Sequence, residues 1–211
     1  MWHYQGVLRD EQEPNGRGER PRKERRREHQ PRERRVLPPL DPARLNEMAL
    51  RYVSRFATTR AKLAEYLRRK LRERGWIEEG VTPDLAPLVE KLADLGYVDD
   101  AAFARAKGGS LRARGLGRGR LTQALRIAGV SEDDGAEATA AANDGAAAAA
   151  LHFARRRRIG PYAAQRPDRA GREKWIAAML RGGHPLALAK RLADAAPGEE
   201  WSVERLEDSD R

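Results

Sequence analysis

Residues 88–130 read LVEKLADLGYVDDAAFARAKGGSLRARGLGRGRLTQALRIAGV, and this stretch decides the class of fold. Its apolar residues recur every three or four positions, which is the spacing of amphipathic helices. A Gly-Tyr turn at 96–97 and a glycine-rich joint at 115–119 divide the stretch into three such segments. Asp99 or Asp100 stands where an acid caps a helix. The stretch therefore predicts three consecutive helices, and it holds no motif for covalent chemistry.

The same helical spacing continues on both sides of this stretch, and nowhere does the pattern alternate as in a strand. Residues 45–56 and 63–75 predict two helices before it. After it, an alanine-rich segment at 136–154 with a break at 143–145, the apolar residues at 175–180 and a segment opened by Pro185 predict the remaining helices. The caps and breakers that mark helix limits are Thr58, Thr59, Gly75, Thr82 with Pro83 at the first helical position, Gly96, Ser131, Gly182, Gly183 and Pro185. The sequence thus predicts an all-α fold, in which Ala102, Phe103 and Ala106 form one buried face.

A spacing of 54 residues relates three of these helices. Leu71-x-x-x-Gly75, Leu125-x-x-x-Gly129 and Met179-x-x-x-Gly183 recur at that interval, and Leu67, Leu121 and Trp175 lie one turn earlier. The interval indicates tandem helical repeats, at 41–81, 82–130 and 131–196, the last divergent and rich in Ala and Arg. The alternative is that Leu-x-x-x-Gly simply ends an amphipathic helix.

Composition restricts the environment and the partners of the chain. The 211 residues carry a net charge of +10 and are 40% hydrophobic. They contain no cysteine, so disulfides and thiolate zinc sites are excluded. No segment has the apolar length of a membrane span or a signal peptide, which predicts a cytoplasmic protein. The basic balance favours an anionic partner.

Charge is distributed unevenly along the chain. Residues 1–40 are rich in Arg, Glu and Pro, which predicts a disordered basic arm. Residues 197–211 form an acidic tail that is either loose or held to the body by Trp201, Val203 and Leu206. Between Ala101 and Ser131 there are seven basic residues and no acid, and a run of four arginines follows at 155–158. The positive charges in such a long stretch repel one another, which indicates that the stretch faces the anionic surface of a partner. The predicted partner-binding or nucleic-acid-binding residues are Arg112, Arg114, Arg118, Arg120, Arg126, Arg155, Arg156, Arg157 and Arg158.

No catalytic, metal or cofactor site is predicted. The glycines at 115–119 lack the preceding strand and the Gly-Lys-Ser/Thr sequence of a phosphate-binding loop, so they indicate a close joint between helices. Asp99 and Asp100 are interpreted as capping acids rather than as paired catalytic carboxylates. The four histidines, His3, His29, His152 and His184, do not pair at metal-ligand spacing.

Two blocks of this sequence resemble the bacterial RecX family. The first is Leu-Gly-Tyr-Val-Asp-Asp-x-x-Phe-Ala at 95–104, and the second is R-x-R-G-x-G-R-x-R-L-x-x-x-L-x-x-x-G at 112–129. The resemblance extends over 42–195 and is also good at 49–75. It departs at 181–185, where Arg-Gly-Gly-His-Pro replaces an Arg-Gly-Phe turn, and the arm before Asp41 is an addition.

The resemblance implies a fold and a function. RecX proteins are built from tandem three-helix repeats that form an elongated, curved molecule. They bind in the groove of RecA filaments and restrain ATPase, recombinase and coprotease activities. The implied protein is a monomeric, nonenzymatic regulator without a cofactor, whose partner is the RecA filament, with single- or double-stranded DNA as a further candidate partner. The alternatives are a RecA-independent helical DNA-binding protein using the same basic surface, and a hydrolase, which the lack of a catalytic constellation disfavours. Salt separates the RecA regulator from the DNA-binding protein. If the protein bound phosphate groups alone, the logarithm of its affinity would fall linearly with the logarithm of the salt concentration.

Overall fold

A computed structural model of the chain describes residues 38–208, and the regular elements within that range are helices. Leu40 and Trp76 add one isolated parallel bridge. The ten α-helices of this range are α1 Pro42–Val53, α2 Arg60–Arg74, α3 Ala86–Asp94, α4 Asp100–Ala113, α5 Arg118–Ala128, α6 Glu132–Asp144, α7 Ala146–Arg157, α8 Arg169–Arg181, α9 Leu186–Asp194 and α10 Val203–Asp208. A short 3-10 helix, Gly160–Tyr162, follows α7. The all-α prediction is confirmed.

Side-chain caps begin several helices at the predicted places. The Thr59 hydroxyl accepts a hydrogen bond from the Lys62 amide at 3.2 Å, and the Asp99 carboxylate accepts one from Ala102 at 2.7 Å. Ser131 caps α6 in the same way. Each cap satisfies an amide that has no partner within its own helix. The predicted break in the alanine-rich segment also lies where expected, since α6 ends and α7 begins around Gly145.

The predicted start of α3 is wrong. The helix begins at Ala86, whose amide donates to the Asp84 carboxylate at 3.0 Å, and not at Pro83 behind a Thr82 cap. A start at Pro83 would place Pro87 in the helix interior, where its ring clashes with the carbonyl four residues earlier. A start at Ala86 puts Pro87 in the first turn, where no amide is needed.

The apolar side chains form three cores, each supplied mainly by three consecutive helices. The first core joins α1, α2 and α3, the second joins α4, α5 and α6, and the third joins α7, α8 and α9 with α10 added. The largest side chains that are less than 2% exposed are Leu40, Leu63, Leu67 and Leu92 in the first core, Leu121 in the second, and Ile159, Met179, Leu192 and Leu206 in the third. Thus α3 contributes to the same core as α2, and α6 contributes to the same core as α4. The repeat limits 41–81, 82–130 and 131–196, and the repeat itself, stay predictions.

Two core residues lie in segments that composition assigned to the arm and the tail. Leu40 is fully buried, and its backbone bonds to Gly75 and Ile77 at 2.9 Å each. Leu206 of α10 is also fully buried against α7 and α9. The Arg191 guanidinium holds α10 by donating to the carbonyls of Leu206 and Arg205. The remainder of the predicted disordered arm, 1–37, and the last three residues of the predicted tail, 209–211, lie outside the described residues.

The first and second cores are tied by polar groups at the start of α2. The Thr59 hydroxyl donates to the Ala128 carbonyl at 2.5 Å, which satisfies an acceptor left free at the end of α5. The Arg60 amide donates to the Asp100 carboxylate at 2.9 Å. Both Thr59 and Asp100 are buried, so these hydrogen bonds form away from water. Thr59 therefore satisfies the end of α5 and Asp100 satisfies the start of α2, and both hydrogen bonds join the first core to the second.

The second and third cores are joined backbone to backbone. The Gly117 amide donates to the Gly182 carbonyl at 2.9 Å, and the Gly119 amide donates to the Gly183 carbonyl at 3.0 Å. A Cβ atom added at Gly117 would lie 2.5 Å from the Gly183 oxygen. The predicted close joint at 115–119 is therefore present, and its partner is the turn that follows α8.

The predicted buried face of α4 is partly wrong. Ala104 and Leu111 are buried, Ala106 is exposed, and Phe103 is only partly buried at the edge of the second core. The Lys62 ammonium lies 5.0 Å from the centre of the Phe103 ring. The face is rotated because α4 packs most closely on α6, which lies on the side of Ala104 and Leu111.

We expect Phe103→Ala to lower the free energy of unfolding by about 1–2 kcal/mol, less than the roughly 3–5 kcal/mol typical of a fully buried aromatic residue. The ring loses contacts at the core edge and its cation–π contact with Lys62, but leaves no enclosed cavity. Urea unfolding of both proteins measures the difference. Leu121→Ala, at a fully buried position of the same core, is the matched comparison and should cost more. A Phe103→Ala loss equal to or above that of Leu121→Ala would contradict the partly buried position.

Candidate functional site

The predicted basic segment 101–131 forms α4, α5 and the joint between them. The four arginines around the joint, Arg112, Arg114, Arg118 and Arg120, are all exposed. The joint is held by the contacts of Gly117 and Gly119 with the turn after α8, so the backbone that carries these arginines has a fixed position. Arg126 lies two turns further along α5, about 12 Å from the helix start at 1.5 Å per residue.

The arginine run at 155–158 lies at the end of α7, close to the same joint. The Arg156 guanidinium donates to the Arg114 carbonyl at 3.3 Å. The Arg157 guanidinium lies 5.7 Å from the centre of the Phe153 ring, and Arg155 lies 5.1 Å from the centre of the Tyr162 ring. The structure thus brings two separate basic segments of the sequence together around Arg114.

All nine predicted binding residues are exposed, and they share a further property. Within residues 38–208, none of them forms an ion pair with a carboxylate. The acid-free sequence is not entirely acid-free in space, because Glu137 of α6 pairs with Arg105 at 3.1 Å. Exposed arginines normally have carboxylates among their neighbours. None of these nine is paired with a carboxylate in that range, and we call the nine together the arginine surface.

Sequence reasoning missed two buried polar groups, Asp100 and His184. Asp100 was interpreted as a local cap, whereas its carboxylate holds the Arg60 amide of another core and is only 4% exposed. Burial raises the pKa of the Asp100 carboxyl, and its contacts with Arg60 oppose that shift. The partner lies 40 residues away in the sequence, so no local pattern indicates it. The only available signal was a second acid directly after one that already caps the helix.

His184 is a second missed residue, and it lies behind the joint. The ring is 4% exposed and its centre lies 5.0 Å from that of Phe153. Neither ring nitrogen has a hydrogen-bond partner of good geometry among the described residues, although the backbone of Gly115 lies close. Burial lowers the pKa of His184 to about 4, and the Gly115 backbone opposes that shift. The imidazole is therefore neutral near pH 7.

We expect the protein to lose stability as the pH falls from about 6.5 to about 4. A lowered pKa in the folded state means that the unfolded chain binds the proton of His184 first, so acid favours unfolding. The loss is about 2–3 kcal/mol at pH 4, counting 1.36 kcal/mol for each pKa unit. Urea unfolding at a series of pH values measures it.

The variant that tests this titration is His184→Leu, which should flatten the pH dependence between 6.5 and 4. Equal pH profiles for the wild type and His184→Leu would show that another group causes the loss.

Two kinds of feature are not found in the part of the chain that the structure describes. Among residues 38–208, no three histidine, aspartate or glutamate side chains come together as metal ligands. In the same range no helix is long and apolar enough to span a bilayer. Guanidinium groups are frequent among the exposed side chains of this range, and such groups bind carboxylates and phosphates.

Comparison with known proteins gives relatives of similar length. No family model matches the chain. The Regulatory protein RecX of Myxococcus xanthus is 32% identical over 173 residues, which cover 75% of this chain and 88% of that relative. The Regulatory protein RecX of Thermobifida fusca is 32% identical over 173 residues, covering 78% and 83%, and that of Agrobacterium fabrum is 29% identical over 138 residues, covering 64% and 73%.

Identity of 32% extends over 75% and 78% of this chain and over 88% and 83% of the first two relatives, so the likeness covers most of each protein. The chain therefore belongs to the RecX family of regulatory proteins.

Proposed function

We propose that this chain binds filaments of the RecA recombinase and inhibits their ATPase, recombinase and coprotease activities. It acts without chemistry of its own, as a cytoplasmic monomer that occupies the filament and hinders its turnover. The observation that carries the proposal is the arginine surface: nine exposed arginines from α4, α5 and α7 have no ion pair within residues 38–208. Membership of the RecX family supports RecA as the partner.

The arrangement of the arginine surface favours binding to a large anionic assembly. Its members extend from the end of α7 through the joint to the far end of α5, so they cannot all converge on one small ligand. A filament of protein on DNA presents both carboxylates and phosphates along its length. Guanidinium groups bind either of these in a bidentate manner.

The steady-state ATPase of RecA on single-stranded DNA tests the proposal. We expect the protein to inhibit this activity at less than one molecule per RecA, because one bound regulator hinders several neighbouring subunits of a filament. The chain alone should hydrolyse no ATP. Unchanged RecA turnover with an equimolar amount of the protein would overturn the proposal.

A DNA control is needed in the same experiment. If the protein merely removed DNA from RecA by coating it, an excess of single-stranded DNA would restore the ATPase fully. We expect inhibition to persist under that excess when filaments are formed before the protein is added. Full restoration would indicate a competitor for DNA rather than a regulator of the filament.

A further inference from the structure

Three of the nine arginines line a single pocket. The lining of this cavity of about 210 Å³ consists of Arg114, Leu116, Phe153, Arg156 and Arg157. It lies where the end of α4 approaches the end of α7. We propose that this pocket is a phosphate-binding site that takes a phosphodiester group of a nucleic-acid backbone, an inference that rests on the proposed function of the arginine surface.

The pocket is already organised without a ligand. The hydrogen bond from Arg156 to the Arg114 carbonyl fixes one guanidinium at the edge of the cavity. The contact of Arg157 with the Phe153 ring fixes a second. Phe153 itself is only 7% exposed and belongs to the third core, so it forms a rigid wall. Arginines held in place lose less side-chain entropy when they bind an anion.

The charge of the pocket is not balanced from within the described chain. No carboxylate lines the cavity, and none of its three arginines forms an ion pair within residues 38–208. Three positive groups at such short range repel one another. A phosphate group removes that repulsion and accepts several charge-assisted hydrogen bonds, and its oxygens match the planar fork of guanidinium groups.

Helix capping explains only part of this arrangement. Cations near the last turn of a helix stabilise its free carbonyls, and Arg156 does so at the end of α4. The side chains of Arg114 and Arg157 make no such hydrogen bond within residues 38–208. A purely capping role predicts lost stability after substitution and no dependence on phosphate, so the two roles give different results.

The test uses the full chain without RecA and a fluorescein-labelled oligothymidylate as the probe. Arg114→Gln/Arg157→Gln leaves the Arg156 hydrogen bond intact and removes two charges. We expect it to weaken binding by at least about tenfold, since charge-assisted hydrogen bonds are lost. The slope of log affinity against log salt should fall in magnitude by about 0.7 for the one phosphate contact removed.

The matched control removes the same charge elsewhere. Arg68→Gln/Arg72→Gln lies on the exposed side of α2 and should weaken binding less than about threefold with an unchanged salt slope. Arg114→Lys/Arg157→Lys restores the charge without the fork and should recover only part of the affinity. Equal losses in the pocket and control variants, or full recovery with lysine, would overturn the site in favour of diffuse charge.

A second arm distinguishes the source of the phosphate. Inorganic phosphate or ATP at constant ionic strength should raise the melting temperature of the wild type only slightly. If either raises it strongly while oligothymidylate binding does not depend on Arg114 and Arg157, the pocket takes a free phosphate, and the nucleic-acid assignment is overturned. If oligothymidylate binding does not depend on Arg114 and Arg157 while RecA is still inhibited, the phosphate site is overturned but the proposed function is not.

Discussion

Replacing Gly183 by alanine is expected to lower the free energy of unfolding by about 3 kcal/mol or more. Gly183 has φ of 87°, and placing a Cβ in this left-handed region costs about 1–2 kcal/mol. The added methyl would also lie 2.4 Å from the Arg120 amide nitrogen, so the backbones of two cores must move apart. Overpacking of this kind adds about 1–3 kcal/mol. Urea unfolding with a global fit of midpoint and slope measures the sum.

Gly96→Ala is the matched control for this prediction. Gly96 has φ of 77°, and an added Cβ would meet nothing within 4 Å, so its substitution isolates the conformational cost. We expect it to cost about 1–2 kcal/mol. The difference between the two variants then measures the close approach of the turn after α8 to α5. Equal costs would mean that the two cores do not touch there.

Changing Arg112, Arg114, Arg118 and Arg120 to glutamate is expected to reduce binding to RecA–DNA filaments by at least about a hundredfold in 0.1 M salt, because favourable charge pairs become repulsive ones. All four side chains are exposed, and the buried leucines of α4 and α5, Leu111, Leu121 and Leu125, are untouched. The fold should therefore persist, as circular dichroism can verify. Co-sedimentation with preformed filaments measures the binding.

A control with the same change of charge separates a defined surface from overall charge. Reversing Arg22, Arg25, Arg26 and Arg27, in the basic arm, changes the total by the same eight units. We expect a much smaller loss, and the wild-type affinity should fall with added salt, because exposed charges are screened over about 10 Å at 0.1 M. Equal losses from both variants would point to diffuse charge, and undiminished binding by the first would refute the assigned surface.

Local patterns in the sequence were sufficient for the helices and for the joint. Thr59, Asp99 and Ser131 cap the helices predicted for them, because a side-chain cap acts within three residues of the chain. The one wrong start, at Pro83, arose where two prolines compete for the first turn, and only Pro87 lies inside the helix. The buried face of α4 was predicted wrongly for another reason. That face depends on which helix packs against α4, and this helix, α6, lies some thirty residues further along the chain.

The residues of the candidate site could be predicted from the sequence, but their positions relative to one another could not. Nine arginines could be selected because residues of one sign cluster in the sequence. That Arg114 meets Arg156 and Arg157 in one pocket depends on the ends of α4 and α7, which approach each other where Leu116 packs against both the second and the third core. The buried groups Asp100 and His184 also have no distinctive local pattern, since their partners are distant in sequence.

The main-chain contact between the second and third cores gives the molecule a built-in reporter. The amides of Gly117 and Gly119 donate to carbonyls of Gly182 and Gly183, outside their own helix. Hydrogen–deuterium exchange at these two amides therefore requires that the cores separate, whereas amides inside α5 can exchange by fraying of that helix alone. Comparing the two sets of rates yields the free energy of core separation in the intact protein, without any substitution. A partner that bridges the cores would slow exchange at these two amides.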